Sequence, residues 1–64
     1  MRIREFDRVL LQTGETASIA EIYEPGVAYE ADIDTLDGHI RTDLIRQSDI
    51  ARVLTAKKAD RLAS

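Results

Sequence analysis

The 64-residue chain has no cysteine and only one histidine, His39. Without cysteine, neither a disulfide framework nor a thiolate metal site can support the small core of so short a chain. Metal binding or general acid–base work by one histidine would need a second group converging on it. His39 lies beside a predicted turn and is interpreted as a solvated surface residue.

Long apolar runs are also missing. The N-terminal residues 1–11 alternate charged and apolar side chains, unlike the uninterrupted apolar block of about 7–15 residues in a signal peptide. Nowhere does the chain approach the roughly 20 apolar residues of a membrane span. Its 44% apolar and 33% charged residues are typical of a folded domain. We expect a soluble cytoplasmic protein with one domain over residues 1–54 and a C-terminal tail, 55–64, that is frayed or a short helix.

Positive charge is absent from the middle of the chain. Residues 15–38 carry seven acidic side chains and no basic one, whereas residues 1–14 have a net charge of +1 and residues 39–64 a net charge of +3. Such asymmetry bears on partners rather than on fold. It disfavours phosphate contacts along the central third and favours a basic partner surface.

What the chain does contain is a series of short strand-like segments separated by glycine turns. Ala17 and Ile19 face one side of the second segment, while Ala20 and Ile22 face the other, which predicts a β-bulge or sharp bend. One helical turn, capped by Ser48 or Asp49, is expected before the last strand. The predicted strands are 7–11, 16–24, 28–34, 39–45 and 51–54.

The third and fourth strands show the clearest alternation. The third places Tyr29, Ala31 and Ile33 on one face and Glu30, Asp32 and Asp34 on the other. A two-residue hairpin loop at Asp37-Gly38 would put Arg41 opposite Asp34, and a four-residue loop would put it opposite Asp32. In both registers the fourth strand points Ile40, Thr42 and Leu44 inward and His39, Arg41 and Asp43 outward.

Five short strands joined by tight turns favour an all-β, SH3-like antiparallel barrel, since closure removes exposed sheet edges. A strand-swapped dimer and a four-stranded meander carrying a C-terminal helix are the alternatives. No internal repeat is visible. The tail has Thr55 as a candidate N-cap and helix-forming residues after it, but ten residues are marginal as an isolated helix.

The ordered series DRVLL, then TGETASIAEIYEPGVAYEADIDTLDG, then SDIARV resembles domain of unknown function 4926, a family of small bacterial and archaeal proteins. The resemblance covers about Phe6 to Val53. It implies an SH3-like barrel with some likeness to the KOW motif of ribosomal and transcription proteins. It also implies a small accessory protein, for which an antitoxin or immunity role is conceivable.

The chain departs from the family pattern at two places. Ala17 replaces a second glycine after the first turn, and residues 31–33 are smaller than the family's Val-Glu-Phe core. The smaller side chains imply a thinner core, or one completed by Phe6, Tyr29 or the tail.

Candidate catalytic and metal-binding groups do not converge in the sequence. Alternate residues on one strand face stand about 6.5–7 Å apart, so one cation cannot collect all three carboxylates of Glu30, Asp32 and Asp34. We expect a solvated acidic face, partly neutralised by Arg41. The glycines lack P-loop or dinucleotide-binding spacing. No catalytic site, metal or cofactor is predicted, and no serine has a paired base: Ser18, Ser48, Ser64.

Protein interaction is the function that these patterns favour. The carboxylates of Glu30, Asp32 and Asp34 suit a basic partner, or a second copy of the chain, with Tyr23 and Tyr29 as anchors if they are exposed. The alternative is a KOW-like nucleic-acid-binding protein, which would need a basic face. Its candidate residues lie in the last third of the chain: Arg41, Arg46, Arg52, Lys57, Lys58 and Arg61.

Overall fold

In the computed structural model the described residues, 2–55, form five strands and one 3₁₀ turn. All strand pairs are antiparallel, and the single sheet has the order β4-β3-β2-β1-β5. This strand order and a helical turn before the last strand make an SH3-like barrel, which confirms the predicted fold class. The elements are β1 Arg8–Leu11, β2 Thr16–Glu24, β3 Ala28–Asp34, β4 Ile40–Arg46, the 3₁₀ turn Gln47–Asp49 and β5 Ile50–Thr55.

The core is built from one face of each strand. Alternation buries every second residue of β1 and β3 and of the first half of β2, as period-2 patterning requires. Tyr29 is the largest fully buried side chain, whereas Phe6 is more than half exposed. Tyr29 therefore completes the thin core and Phe6 does not. The buried apolar residues are Ile3, Val9, Leu11, Ala17, Ile19, Tyr29, Ala31, Ile33, Ile45 and Ile50.

The predicted irregularity in β2 is present. The pairing of β2 with β3 shifts between Ile19 and Glu21 and again between Ile22 and Glu24. Each shift inserts an extra residue, bends the strand and changes which face its side chains occupy. Ile22 thereby packs against the core despite its opposite parity to Ile19. The second shift precedes a tight turn in which the Val27 N–H donates to the Glu24 carbonyl at 2.9 Å.

The predicted faces of β4 are wrong, because the hairpin loop has three residues. The Thr35 N–H donates to the His39 carbonyl at 2.8 Å, and the Gly38 N–H donates to the Thr35 carbonyl at 3.1 Å. Gly38 has a φ of +91°, the left-handed conformation that ends a three-residue loop of this kind. The register is Asp32 opposite Thr42, between the two registers considered from the sequence.

A register one residue away inverts both faces of a strand. Ile40 and Leu44, predicted to be inward, are 72% and 52% exposed. Ile45 is instead the buried residue of β4, opposite Tyr29. Arg41 and Asp43 share the side of Ile45 and were wrongly assigned to the outer face with His39. Thr42 is exposed on that outer face.

The C-terminal boundary also differs from the prediction. Thr55, expected to begin the tail, is the last residue of β5 and pairs with Arg8. The predicted tail helix otherwise lies outside the described residues. The predicted helical turn is present, but its N-cap is Arg46 rather than Ser48 or Asp49. Asp49 is the third residue of the turn and accepts the Arg46 N–H at 2.9 Å. Within residues 2–55 there is no helix with the length and apolarity needed to cross a membrane.

Tyr29 provides a test of the core. Its hydroxyl donates to Gln47 Oε1 at 2.5 Å and accepts the Gly26 N–H at 3.0 Å, joining the β2–β3 turn to the 3₁₀ turn. Tyr29→Phe leaves both groups without this partner and should lower the free energy of unfolding by about 1–2 kcal/mol. Urea denaturation measures the change. The control Tyr23→Phe, at an exposed site, should cost less than about 0.5 kcal/mol; equal effects would contradict this account of the core.

Candidate interaction surface

The outer face of β3 carries the three predicted carboxylates, and each has a different partner. Asp34 accepts from the Arg8 guanidinium at 3.0 Å. Asp32 accepts from the Thr42 hydroxyl at 2.7 Å. Glu30 accepts from the Tyr23 hydroxyl at 2.5 Å. Only the first contact brings a positive charge, so the three carboxylates are not equivalent.

Asp34 is neutralised within the fold. Arg8 also donates to the Ser18 hydroxyl at 2.7 Å and to the Thr16 hydroxyl at 3.1 Å, so its guanidinium is held across β2. Sequence reasoning assigned this neutralisation to Arg41, which lies on the other side of the sheet. Arg8 was missed because its nearness to Asp34 depends on the register of three strands. Asp34 therefore contributes less to a partner surface than the sequence suggested.

Glu21 was not selected from the sequence, yet it lies directly opposite Glu30 in the β2–β3 pair. Like charges facing each other across a sheet are destabilising. No arginine or lysine among residues 2–55 forms an ion pair with either glutamate. Three carboxylates form no ion pair with a basic side chain of residues 2–55, and we term them the acidic patch: Glu21, Glu30 and Asp32. The signal that could have found Glu21 is the β2 bulge, which places it opposite Glu30.

Tyr23 and Tyr29 occupy very different environments. Tyr23 is 51% exposed beside the acidic patch, whereas Tyr29 is 1% exposed and belongs to the core. Tyr29 is therefore removed from the candidate interface. The hydrogen bond to the Glu30 carboxylate raises the pKa of Tyr23, and the nearby charges of Glu30 and Glu21 act in the same direction. The phenol is therefore protonated at neutral pH, and its hydroxyl is held at Glu30 of β3.

Three of the six candidate nucleic-acid residues lie on the two terminal strands of the sheet. Arg41 and Arg46 belong to β4 and Arg52 belongs to β5. Arg41 lies 3.9 Å from Glu15 and 3.7 Å from Asp43, so two carboxylates offset its charge. The other three candidates, Lys57, Lys58 and Arg61, lie outside the described residues.

A shallow cleft of about 190 Å³ opens beside Arg41. It is smaller than the roughly 300–1,000 Å³ of pockets that enclose metabolite-sized ligands. No group of three or more metal-ligating side chains is present among residues 2–55. The cleft is lined by Leu11, Gln12, Thr13, Glu15, Ile33, Arg41, Asp43, Leu44, Ile45 and Asp49.

The β3–β4 turn has its own electrostatic arrangement. The Thr35 hydroxyl donates to Asp37 Oδ1, and His39 Nδ1 lies 3.2 Å from the same oxygen. These contacts lower the pKa of Asp37, with the hydroxyl as the larger cause. A lowered folded-state pKa means that the contribution to stability is present above the ordinary carboxyl pKa and is lost as the pH falls through the lowered value. His39 is exposed.

Comparison with known proteins gives no match. Neither a family model, nor a curated protein, nor a solved structure matches the chain. The resemblance to domain of unknown function 4926 stays a prediction. A proposal for the function therefore rests on the geometry of the outer face.

The contact between Tyr23 and Glu30 can be tested by titration. Glu30→Ala removes both the acceptor and the charge, so the pKa of Tyr23 should fall towards its ordinary value. The ring resonances of Tyr23, followed by carbon-13 NMR through the alkaline range, report the change. Asp32→Ala, which removes the adjacent carboxylate on the same face, should leave the Tyr23 pKa raised. An unchanged pKa in Glu30→Ala would show that the hydrogen bond is absent in solution.

Proposed function

We propose that this protein is a non-enzymatic interaction module whose acidic patch, with Tyr23 as anchor, binds a basic surface of another protein. The observation that carries the proposal is the placement of Glu21 opposite Glu30, with no ion pair to either glutamate from the basic side chains of residues 2–55. Asp32 extends the patch along β3 and accepts from a neutral hydroxyl, that of Thr42. A partner's lysine or arginine would supply the missing charge.

The facing carboxylates of Glu21 and Glu30 lower the stability of the isolated domain. Opposed like charges on a sheet cost a few tenths to about 1 kcal/mol relative to a neutral pair. A few residues away, Asp34 shows that the same sheet can accommodate a neutralising arginine. A cation from a partner would relieve the repulsion on binding, so part of the binding free energy comes from the free protein's own destabilisation.

Tyr23 has the properties of an interface anchor. Half of its surface is exposed, and its hydroxyl is held by Glu30, so little conformational freedom is lost when a partner covers the ring. Tyrosine is enriched at binding hot spots because it combines a large contact area with a polar tip. Its ring can also receive a cation approaching the patch.

The resemblance to domain of unknown function 4926 supports a small cytoplasmic accessory role, with antitoxin or immunity function as the specific form of this proposal. Such a role would use the acidic patch against a basic target protein. Nucleic-acid binding is less well supported, because the patch repels phosphates and Arg41 is offset by two carboxylates.

A single substitution separates the functional role of the patch from a structural one. Glu21→Lys replaces a repulsive cross-strand pair with an attractive one and should raise the free energy of unfolding by about 0.5–1 kcal/mol. The same change should weaken binding to a synthetic peptide rich in lysine and arginine at least tenfold, because it reverses a charge in the patch. Glu5→Lys makes the same charge change at an exposed residue outside the sheet and serves as the matched control.

Fluorescence anisotropy of the labelled peptide, with labelled RNA and duplex DNA in parallel, measures binding. Tight peptide binding that is weakened by Glu21→Lys and retained by Glu5→Lys supports the proposal. Equal losses in the two variants would mean that net charge alone acts. Salt-sensitive nucleic-acid binding without peptide binding would establish the alternative function.

A further inference from the structure

The strand β4 is an edge of the sheet with unpaired backbone groups. Backbone bonds at Thr35–His39 and Val27–Gln47 bracket the β3–β4 ladder, which runs between them in a constant register. Because hydrogen-bonded pairs alternate in an antiparallel ladder, Arg41, Asp43 and Ile45 direct their N–H and C=O groups towards β3. The even-numbered residues therefore direct theirs away from the sheet: Ile40, Thr42 and Leu44.

This edge is open along its length. Residues 40–44 are all exposed, and among residues 2–55 no strand pairs with the outer side of β4. Ile40 and Leu44 add two large apolar side chains to the outer face beside the edge. Natural proteins usually cover or charge such an edge, because it is a template for another strand.

The residues of this edge are complementary to themselves. We infer that β4 pairs antiparallel with β4 of a second copy about a two-fold axis at Thr42, giving a symmetric dimer. In this register Ile40 lies opposite Leu44 of the other copy, and Arg41 lies opposite Asp43 of the other copy. Each pair occurs twice by symmetry. The segment reads Ile-Arg-Thr-Asp-Leu. When a second copy runs antiparallel to it, each apolar residue therefore meets an apolar residue and each charged residue meets its opposite charge.

The hydrogen-bonding phase agrees with this register. A two-fold axis at Thr42 makes Thr42 and its symmetry mate a hydrogen-bonded pair, which requires their backbone groups to point outward, as they do. Arg41 and Asp43 share one side of the strand, and Ile40 and Leu44 share the other. Opposed residues of paired strands lie on the same side, so both kinds of contact form together.

One hydrogen bond within the chain must be replaced when β4 pairs with the second copy. The Leu44 N–H donates to Asp43 Oδ1 at 2.8 Å, so the carboxylate occupies an outward-facing donor in the single chain. In the dimer the Ile40 carbonyl of the other copy replaces that acceptor. The Asp43 carboxylate then pairs with the opposing Arg41, whose contact with Asp43 of its own chain is long, 3.7 Å.

The dimer would present the two acidic patches on one surface. An axis perpendicular to the sheet keeps the outer faces of both copies on the same side. The β3 strands are then three strand spacings apart, about 14 Å, with Ile40, Thr42 and Leu44 between them. The self-association itself does not depend on the proposed function.

Sedimentation equilibrium of the full chain tests the pairing. Because five residues of each β4 strand meet, we expect the contact to bury less than the roughly 1,200 Å² of a standard interface, so the concentration series should run from about 10 μM to about 1 mM. We expect a monomer–dimer equilibrium in this range. Arg41→Asp and Asp43→Arg each create two like-charge contacts and should weaken the dimer at least about tenfold. Circular dichroism confirms that each variant is folded.

Mixing the two charge-reversal variants, Arg41→Asp and Asp43→Arg, is the decisive experiment. Arg41→Asp presents only acids and Asp43→Arg presents only bases, so a heterodimer restores both charge pairs with an affinity within about threefold of the parent. Ile40→Lys tests the apolar half of the contact and should also weaken the dimer. A parent chain that is monomeric throughout, a dimer insensitive to these substitutions, or single variants that fail to associate on mixing would overturn the inference. Dimerisation only after removal of residues 56–64 would also overturn it for the full chain.

Discussion

The three-residue loop between β3 and β4 determines which side chains of β4 enter the core and which face solvent. Its length is fixed by Gly38, which adopts a positive φ after the Thr35–Gly38 turn and returns the chain at His39. A loop of odd length sets Asp32 opposite Thr42. Ile45 then enters the core against Tyr29, while Ile40 and Leu44 face solvent. The edge proposed to pair with a second copy depends on this register, and so does the position of Arg41 away from the outer face, because side chains on a strand have a period of two.

The loop also separates the charges of the sheet into two groups. Arg41 and Asp43 lie on the inner side of β4 near Glu15, at the rim of a small cleft. On the outer side, Arg8 neutralises Asp34 by direct contact at 3.0 Å, and the Ser18 and Thr16 hydroxyls hold its guanidinium. The remaining carboxylates of the outer face have no basic partner in residues 2–55. The acidic patch is thus defined as much by where the arginines lie as by where the acids lie.

Local patterning was sufficient to predict the strands, the bulge in β2 and the barrel. Glycine turns and period-2 alternation are properties of neighbouring residues, so β2 and β3 were bounded correctly from the sequence. The faces of β4 were predicted wrongly, because apolar and polar residues occupy both the odd-numbered and the even-numbered positions. In addition, Asp37-Gly38 fits loops of two, three or four residues. Ile45 is the only apolar residue among the odd-numbered positions of β4 and marked the true face, but the sequence prediction assigned it to neither face.

The candidate site was only partly predictable for a related reason. Alternation alone placed Glu30, Asp32 and Asp34 on one face. Whether each is paired depends on the register of strands distant in sequence, as Arg8 with Asp34 shows. The burial of Tyr29 depends on the same non-local packing, and the contact of Glu21 with Glu30 depends on the bulge.

The register of β3 against β4 is the central claim, and one NMR measurement tests it directly. In an antiparallel ladder the Hα atoms of non-hydrogen-bonded pairs approach closely. The structure predicts strong Hα–Hα nuclear Overhauser effects for Asp32 with Thr42 and for Glu30 with Leu44. Cross-peaks that instead join Asp32 to Asp43, or Asp32 to Arg41, would return Ile40 and Leu44 to the core and contradict the account.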